Sequence, residues 1–455
     1  MIRDKDFYRS IFRLALPTAF QSLISLLVVM ADNLMVTRID PDGLSFAAVA
    51  QSNSITNFVN AAMKGLAGGS VVLIAQYWGK KDTDAIRSVC SVVLSLCVGF
   101  AVAVAGLIRL FPGLALSMVI SAKETQVLDL GMQYLPIVCL AYIPFAVSAS
   151  MIGMLKGVEV VRITLYTTIV SLVSNILFNY ILIFGKLGFP AMGVRGAAIA
   201  TVLARLIEAT LVSFYFFKVQ RSIPIKARDF LQHKRWVWTD YARFGLPVAI
   251  TDAQWALVGM LKMVIIGQMG KRMINAAAVT DMMMNLGMLF TSALAGGAAV
   301  MVGKAVGQKD YSLVRSYSRT IQIMFFFFGL IMSSLVFLLR VPYISLYNLD
   351  ADVASLAATM IGISAMTLIG TTYHASCFVG INRGAGDNRF VMLVDMICGW
   401  LIVLPVSALA AFVFHWPLHI VYFCTRIDQT FKWIIAFFRL RGNKWIHNVT
   451  REAGT

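Results

Sequence analysis

Charged side chains are scarce in this chain, and their scarcity excludes a soluble globular protein. Only 13% of the 455 residues are Asp, Glu, Lys or Arg, whereas 59% are hydrophobic and the mean hydropathy is +0.78. A soluble protein needs polar groups to cover its surface, and this composition supplies too few of them. The chain is therefore predicted to be an integral membrane protein.

Residues that build metal centres and catalytic sites are also few. The chain has five histidines and six cysteines. The cysteines lie inside apolar segments at no metal-like spacing, and no HExxH motif of a zinc protease occurs. The phosphate-binding sequence GxxxxGK[ST] is missing too, which argues against an ATP-driven pump. We expect no enzyme activity, no metal centre and no cofactor apart from H+ or Na+ as a coupling ion.

Long apolar runs, in contrast, are abundant. Each of twelve runs is long enough to cross about 30 Å of hydrocarbon as a helix that rises about 1.5 Å per residue. The predicted helices cover residues 11–38, 43–78, 84–110, 126–155, 161–184, 193–218, 241–268, 273–307, 313–339, 353–381, 389–413 and 417–440.

The basic residues are unevenly distributed between alternate loops. The net charge of +17 would suggest nucleic-acid binding in a soluble protein, but here 26 Lys and Arg residues fall on one side of the predicted helices and only eight on the other. Cytoplasmic loops of membrane proteins are enriched in Lys and Arg. The distribution therefore predicts both termini in the cytoplasm and no nucleic-acid partner.

The sequence repeats itself at an offset of about 228 to 230 residues. The matching segments are 14–19 with 244–249, 66–82 with 294–310, and 154–162 with 381–389. We predict a first lobe of six helices over 1–218, a cytoplasmic linker over 219–240, and a second lobe over 241–455 that ends in a short basic tail. Six helices per lobe make the repeats parallel, and parallel repeats are typical of transporters that bind substrate between the lobes. Duplication in a channel or receptor is the alternative, but no segment is similar to a selectivity filter.

Several motifs resemble the multidrug and toxic compound extrusion (MATE) family. They are ALP and GLP near the start of the two halves, ADNLMVTR in the first predicted helix, GGSVVLIAQYWGKKD at the end of the second, SNILFNYILIFG in the fifth, GVRGAAIATVLAR in the sixth, and RGAGDNR before the eleventh. The resemblance runs from about residue 10 to 440 and leaves open whether the chain falls in the DinF-like branch. It implies an all-α membrane protein of twelve helices in two pseudo-symmetric six-helix lobes that form a V. It also implies export of organic, often cationic, compounds driven by H+ or Na+ entry.

An acidic residue lies inside the first predicted helix. Asp32, Asn175, Asn179 and Thr201 are each expected roughly 10 to 15 Å below the outer surface, counting the helical rise from the outer loops. Together they can hold a proton with its hydrogen bonds, or a small cation. The resemblance implies functional roles at Asp32, Asn175 and Thr201. Asn179 stands where some members carry an acid, so protonation of Asp32 is the simpler coupling event. The alternatives are a structural carboxylate and amides that only join helices.

Other charges in the predicted helices are expected to pair. Lys262 corresponds to Asp32 at an offset of 230 residues, and Asp281 is expected at a similar depth. An ion pair between Lys262 and Asp281 is predicted, as a gate or a second coupling element, because an unpaired charge in the membrane is costly. Lys262 extending towards the outer interface is the alternative. Arg205 and Glu208, three residues apart, are predicted to pair on one helix face.

Five further residues are candidates to line the substrate cleft. They are Lys64, Asp252, Trp255, Tyr373 and His374. Aromatic and charged side chains of this kind suit a site that accepts varied substrates. Core packing or contact with lipid explains the aromatic residues equally well.

The sequence thus predicts a secondary antiporter in the bacterial inner membrane. We expect it to exchange H+, less favourably Na+, for organic, mainly cationic or amphiphilic, toxic compounds. Its partners would be those small molecules and the lipid bilayer, and we expect a monomer. A lipid or glycolipid flippase of the same superfamily is the alternative. Lys64 and Lys262 favour it because an anionic headgroup needs a basic cleft, whereas Asp32 with its amide neighbours opposes it.

Overall fold

The computed structural model describes residues 5–39, 43–120, 124–223, 225–231, 234–347, 349–442 and 444–451. Over these residues the chain is helical, and no β-strand occurs in them. A helix satisfies the backbone N–H and C=O groups within one segment, as a lipid environment requires. The predicted all-α class is confirmed.

The described part of the chain contains seventeen α-helices. They are α1 (Lys5–Val36), α2 (Leu44–Lys80), α3 (Thr83–Leu110), α4 (Pro112–Ser117), α5 (Thr125–Val138), α6 (Tyr142–Gly157), α7 (Arg162–Phe184), α8 (Gly193–Phe214), α9 (Arg235–Asp240), α10 (Leu246–Gly267), α11 (Lys271–Gly307), α12 (Tyr311–Ile344), α13 (Ala351–Ala375), α14 (Asn388–Met396), α15 (Leu404–Ala408), α16 (Leu418–Cys424) and α17 (Lys432–Arg441).

Eleven helical segments among the described residues are long and apolar enough to cross a membrane. Several join two α-helices through a short 3-10 or π turn, as α5 and α6 do through Cys139–Ala141. Each coincides with one of the first eleven predicted helices, apart from shifts at the ends. These eleven predictions are confirmed.

The twelfth predicted helix, 417–440, is broken in the middle. Helices α16 and α17 are separated by a 3-10 turn at Ile427–Thr430. The break leaves the backbone carbonyl of Thr425 available, and the Lys262 ammonium donates to it at 3.5 Å. Irregular backbone at membrane depth is tolerated where protein groups surround it. Hydropathy located this segment correctly but could not show the break. The side chain that bonds to the freed carbonyl, Lys262, lies on another helix, α10.

The same helix-to-helix turn occurs at related positions in the two halves. After α2, Lys81 has a φ of 63° and the Asp82 side chain caps α3. After α11, Lys309 has a φ of 59° and the Asp310 side chain caps α12. This shared geometry agrees with the sequence repeat.

Two glycines allow the ends of α2 and α11 to pack backbone against backbone. A Cβ atom on Gly79 would collide with the carbonyl oxygen of Lys304, and one on Gly307 would collide with that of Gln76. Gln76 and Lys304, like Gly79 and Gly307, are 228 positions apart. The two contacts are therefore equivalent under the repeat.

The chain forms two compact units. The first unit contains Phe20–Ile74 and Asp82–Ala249, and the second contains Met1–Ala19, Ala75–Lys81 and Ile250–Thr455. Helices α1 and α2 thus contribute to both. The lobes 1–218 and 241–455 with the linker 219–240 divide the sequence by its repeat, and as structural domains they stay a prediction.

Candidate functional site

A carboxylate and two amides meet in the first unit. Asp32 lies on the last turn but one of α1, and Asn175 and Asn179 lie one turn apart on one face of α7. The side-chain N–H2 of Asn179 donates to Asp32 Oδ1 and to Asn175 Oδ1, the latter at 3.3 Å. Both asparagines are buried and Asp32 is half-buried. The structure therefore brings these three predicted residues together.

Thr201 joins this cluster through a tyrosine that was not predicted. The buried Tyr134 hydroxyl on α5 donates to Asn53 Oδ1 on α2 at 3.1 Å and interacts with Thr201 on α8. It also lies close enough to Asp32 to interact electrostatically. The Thr201 hydroxyl itself donates to the Ala197 carbonyl at 3.0 Å. The available signal was a phenol in an apolar segment, since a buried tyrosine hydroxyl needs a hydrogen-bond partner.

One buried acceptor of the cluster makes no hydrogen bond with the described residues. It is the side-chain oxygen of Asn179. If the amide turns over, this oxygen faces Asp32 and can accept the O–H of a protonated carboxyl group. Asn179 can therefore satisfy Asp32 as a carboxylate through its N–H and as a carboxylic acid through its oxygen. The same oxygen, with those of Asp32 and Asn175, is also of the type that binds small cations.

A second group of charges lies in the first unit. Arg205 Nη1 is 2.6 Å from Glu208 Oε2, so the predicted pair is confirmed. Arg205 is also within electrostatic reach of Asp32. Lys64 on α2 lies within reach of both Arg205 and Glu208.

Lys262 and Asp281 belong to one charged cluster in the second unit. Lys262 is within electrostatic reach of Asp428, Arg426 and Asp281. Among the side chains that the structure describes, no ion pair within 4.0 Å joins Lys262 to Asp281. The Lys262 ammonium donates instead to the Thr425 carbonyl. The two predicted partners therefore interact only as members of a larger cluster. The broken last segment adds the Asp428 carboxylate and the Thr425 carbonyl to it.

Lys432 lies at the centre of the buried ion pairs in this cluster. Its ammonium is 2.8 Å from Asp395 Oδ1 and 2.8 Å from Asp428 Oδ2, and the three side chains are only 3%, 13% and 9% exposed. His374 is within electrostatic reach of all three, and its Nδ1 lies 3.0 Å from the Gly370 carbonyl. Lys432 was not predicted to take part, although it follows Asp428 by one helical turn.

The residues predicted to line a substrate cleft belong to different units. Lys64 is in the first unit, and Asp252, Trp255, Tyr373 and His374 are in the second. Asp252 Oδ1 accepts a hydrogen bond from Arg383 at 2.8 Å. The Tyr373 hydroxyl donates to Gln322 Oε1 at 2.7 Å, and Trp255 is 67% exposed. A shared cleft stays a prediction.

An apolar groove of about 550 Å³ lies between α11 and α12. Met283, Phe290, Met332 and Tyr343 are among the residues that line it. Specific ligand sites combine apolar walls with a few placed polar groups. The groove has few of these, so we consider the charged clusters the stronger candidate sites.

The sequence is similar to those of known membrane transporters. Residues 17–181 and 247–437 match the MatE family. The uncharacterized transporter YisQ of Bacillus subtilis is 24% identical over 446 residues, covering 97% of this chain and 96% of that protein. The probable multidrug resistance protein NorM of Thermotoga maritima is 26% identical over 411 residues, covering 88% and 84%.

Solved structures share the fold. A MATE protein crystallised in the bent conformation superimposes with a TM-score of 0.84 at 19% identity, covering 95% of this chain and 94% of that one. A MOP superfamily transporter from Pyrococcus furiosus gives a TM-score of 0.84 at 18% identity, with the same coverage. At this level of identity the likeness establishes the fold alone.

Proposed function

This chain belongs to the MatE family and is therefore a multi-pass membrane transporter rather than an enzyme, and we propose that it exports organic compounds in exchange for H+. Its substrates would be mainly cationic or amphiphilic toxic compounds, and its location the bacterial inner membrane. The similarity to several proteins named probable multidrug resistance protein NorM supports export of toxic compounds. Exchange for Na+ is the less favoured version.

The contact between Asp32 and Asn179 carries this proposal. An acidic residue inside a membrane helix is costly and usually functional. Asp32 is half-buried, and Asn179 can bond to it in both protonation states. Asp32 can therefore change its charge while its hydrogen bond to α7 is kept.

This change of charge can couple a proton to a cation. An ionised Asp32 attracts a cationic substrate, whereas a protonated Asp32 does not. Proton uptake from outside would favour substrate release there, and proton loss to the cytoplasm would restore the attraction. A ligand shifts such an equilibrium only through its different affinity for the two states, and the charge on Asp32 provides that difference.

Asn179 favours H+ over Na+. A sodium site needs several oxygen ligands. Here the N–H2 of Asn179 points at the Asp32 carboxylate, and Asn175 Oδ1 already accepts a hydrogen bond. One carboxylate with amide donors suits a proton better than a metal cation.

The test is transport by the full-length protein in proteoliposomes with imposed H+ or Na+ gradients. For the wild type we expect the H+ gradient alone to drive ethidium transport. Asp32→Asn keeps the size of the side chain but removes its charge and its proton. It should lower the H+-driven rate by at least about tenfold, because hydrogen bonds and contacts to charged groups contribute roughly 1.5 to 3 kcal/mol.

Asp129→Asn is the matched control. Asp129 lies exposed on α5 in the same unit, so the same exchange there should leave transport unchanged. Full H+-driven transport by Asp32→Asn would contradict the proposal. Transport by the wild type driven only by a Na+ gradient would show that Na+, and not H+, is the coupling ion.

The flippase alternative depends on basic residues in the interior. Lys64 lies in the first unit and Lys262 in the second. A flippase would move a labelled anionic lipid between leaflets and would not move ethidium. The same proteoliposomes, prepared with a fluorescent lipid, separate the two functions.

A further inference from the structure

Two lysines in the first unit form no ion pair within 4.0 Å with any acidic side chain that the structure describes. We propose that Lys64 and Lys156 form a binding site for an anionic oxygen group, a carboxylate or a phosphate, on either a transported compound or a lipid headgroup. This extends the proposed function to a second class of ligand. It rests on the proposed function in one respect, namely that a bound compound would be exported.

The two lysines lie close together on neighbouring helices. Lys64 is on α2 and Lys156 is in the last turn of α6. Gly153 on α6 packs against Ala67 on α2, where an added Cβ would lie 3.0 Å from the Ala67 carbonyl oxygen. The two ammonium groups are within electrostatic reach of each other. Their positive charges therefore act on the same space.

Lys64 faces the interior of the unit. Its ammonium lies 6.0 Å from the centre of the Phe145 ring, and the Arg205 guanidinium lies 5.0 Å from the same ring. Phe145 is buried, yet the Lys64 side chain is exposed. Lys64 thus combines an exposed residue surface with an ammonium that lies beside a buried ring.

The neighbouring groups leave this positive charge uncompensated. Among the described side chains, no carboxylate lies within 4.0 Å of either ammonium. Glu208 is within reach of Lys64, but it already pairs with Arg205 at 2.6 Å. Lys156 finds a neutral acceptor, Gln21 Oε1, at 3.5 Å. Charged residues at membrane depth are normally paired, and those that are not mark ligand pathways.

The depth of the site separates it from Asp32. Gln21 and Asp32 lie on the same helix, α1, about 11 residues or 16 Å apart. Gln21 lies about 22 Å from the outer end of α1, which places the Lys156 ammonium in the half of the membrane nearer the predicted cytoplasmic side. The Lys156 end of the basic site is thus distinct from the acidic site, whereas Lys64 and Asp32 share Arg205 as a charged neighbour, so both probes have to be measured on every variant.

The chemistry of two lysines determines the class of ligand. Each ammonium is a compact charge with three N–H donors and no acceptor. Two of them beside an amide suit a carboxylate or phosphate, which offers several acceptor oxygens. The aromatic ring of Phe145 adds an apolar wall, so we expect organic anions to bind better than inorganic phosphate.

Equilibrium binding to the full-length protein in phosphatidylcholine nanodiscs tests the site. Carboxyfluorescein is the anionic probe, ethidium the cationic probe, and phosphatidylglycerol added to the nanodisc the lipid probe. We expect Lys64→Gln and Lys156→Gln each to weaken carboxyfluorescein binding by at least about tenfold, as loss of a charge-assisted contact does. Lys64→Arg keeps the charge and should retain most of the affinity.

The controls distinguish this site from the proposed cation site. Lys186→Gln removes an exposed lysine of the same unit and should change nothing. Ethidium binding should survive both lysine substitutions and weaken in Asp32→Asn. Ethidium binding that does not depend on Asp32 would contradict the proposed function and leave the anion site intact.

The lipid arm identifies the source of the anion. If only phosphatidylglycerol binds, and Lys64→Gln or Lys156→Gln releases it, the ligand is a headgroup. Binding of carboxyfluorescein in the absence of anionic lipid identifies a soluble organic anion. The proposal is overturned if the wild type binds neither probe, or if both glutamine variants bind them as the wild type does.

Discussion

Gly307→Ala should destabilise the second unit at the crossing of α2 and α11. The added methyl group would overlap the backbone carbonyl oxygen of Gln76. A backbone atom cannot rotate away as a side chain can, so one of the helices has to move. Overpacking typically lowers the free energy of unfolding by about 1 to 3 kcal/mol, and we expect about 3 at this site. Alanine has a higher helix propensity than glycine, which offsets up to about 1 kcal/mol of this loss. We expect a net loss of about 2 kcal/mol.

Gly296→Ala is the control for this prediction. Gly296 lies on the same helix, and an added Cβ there meets no atom within 4 Å. It should be neutral or stabilise by up to about 1 kcal/mol. The two variants should therefore differ by about 2 to 3 kcal/mol, or roughly 4 to 12 °C at roughly 2 to 4 °C per kcal/mol.

The buried cysteines provide the assay. All six are free and buried, so a thiol-reactive dye reports the unfolding of each detergent-purified variant on heating. Gly79→Ala, at the equivalent contact, should behave like Gly307→Ala. If Gly307→Ala unfolds at the same temperature as Gly296→Ala, the close backbone contact does not exist.

Two further predictions concern charges in the second unit and at its helix ends. Lys432→Met leaves the buried carboxylates of Asp395 and Asp428 without their shared ammonium. We expect the free energy of unfolding to fall by about 3 to 5 kcal/mol. Adding Asp395→Asn should recover part of this loss, and the same thiol assay measures both variants. Asp310 caps the start of α12. Hydrogen bonds from the Leu313 backbone N–H and the Ser312 hydroxyl of that helix lower the pKa of Asp310. Because its pKa is lower in the folded state, Asp310 stabilises the folded protein at pH values above its ordinary pKa of 3.8. This stabilisation is lost as the pH falls through the pKa of the folded state. Asp310→Ala should therefore lower the unfolding temperature at pH 7, and an unchanged difference on acidification below 3.8 would contradict this account.

Local rules predicted the parts of the site that lie on single helices. The four-residue spacing of Asn175 and Asn179 places both on one face of α7, and the structure finds them hydrogen-bonded. The three-residue spacing of Arg205 and Glu208 predicted their ion pair in the same way. Spacing on a helix fixes such neighbours because the helical geometry is constant.

Contacts between helices were harder to predict. Tyr134 reaches Asn53 and Thr201 because α5 packs beside α2 and α8, which no spacing in the sequence reveals. The hydrogen bond from Lys262 to the Thr425 carbonyl at the broken last segment likewise joins residues 163 positions apart in the sequence. Hydropathy reports the average environment of a segment and not its polar partners.

Asp32 and the acids bound to Lys432 are held in different ways, and this difference bears on where a proton can act. Asp395 and Asp428 each lie 2.8 Å from the Lys432 ammonium, so a proton on either would break an ion pair in a buried site. Asp32 has no ion pair within 4.0 Å among the described side chains, and on protonation the turned amide of Asn179 can replace the hydrogen bond that is lost. Protonation therefore costs less at Asp32, because no buried ion pair is lost there. Under the proposed mechanism, coupling therefore resides at Asp32 rather than at Asp395 or Asp428.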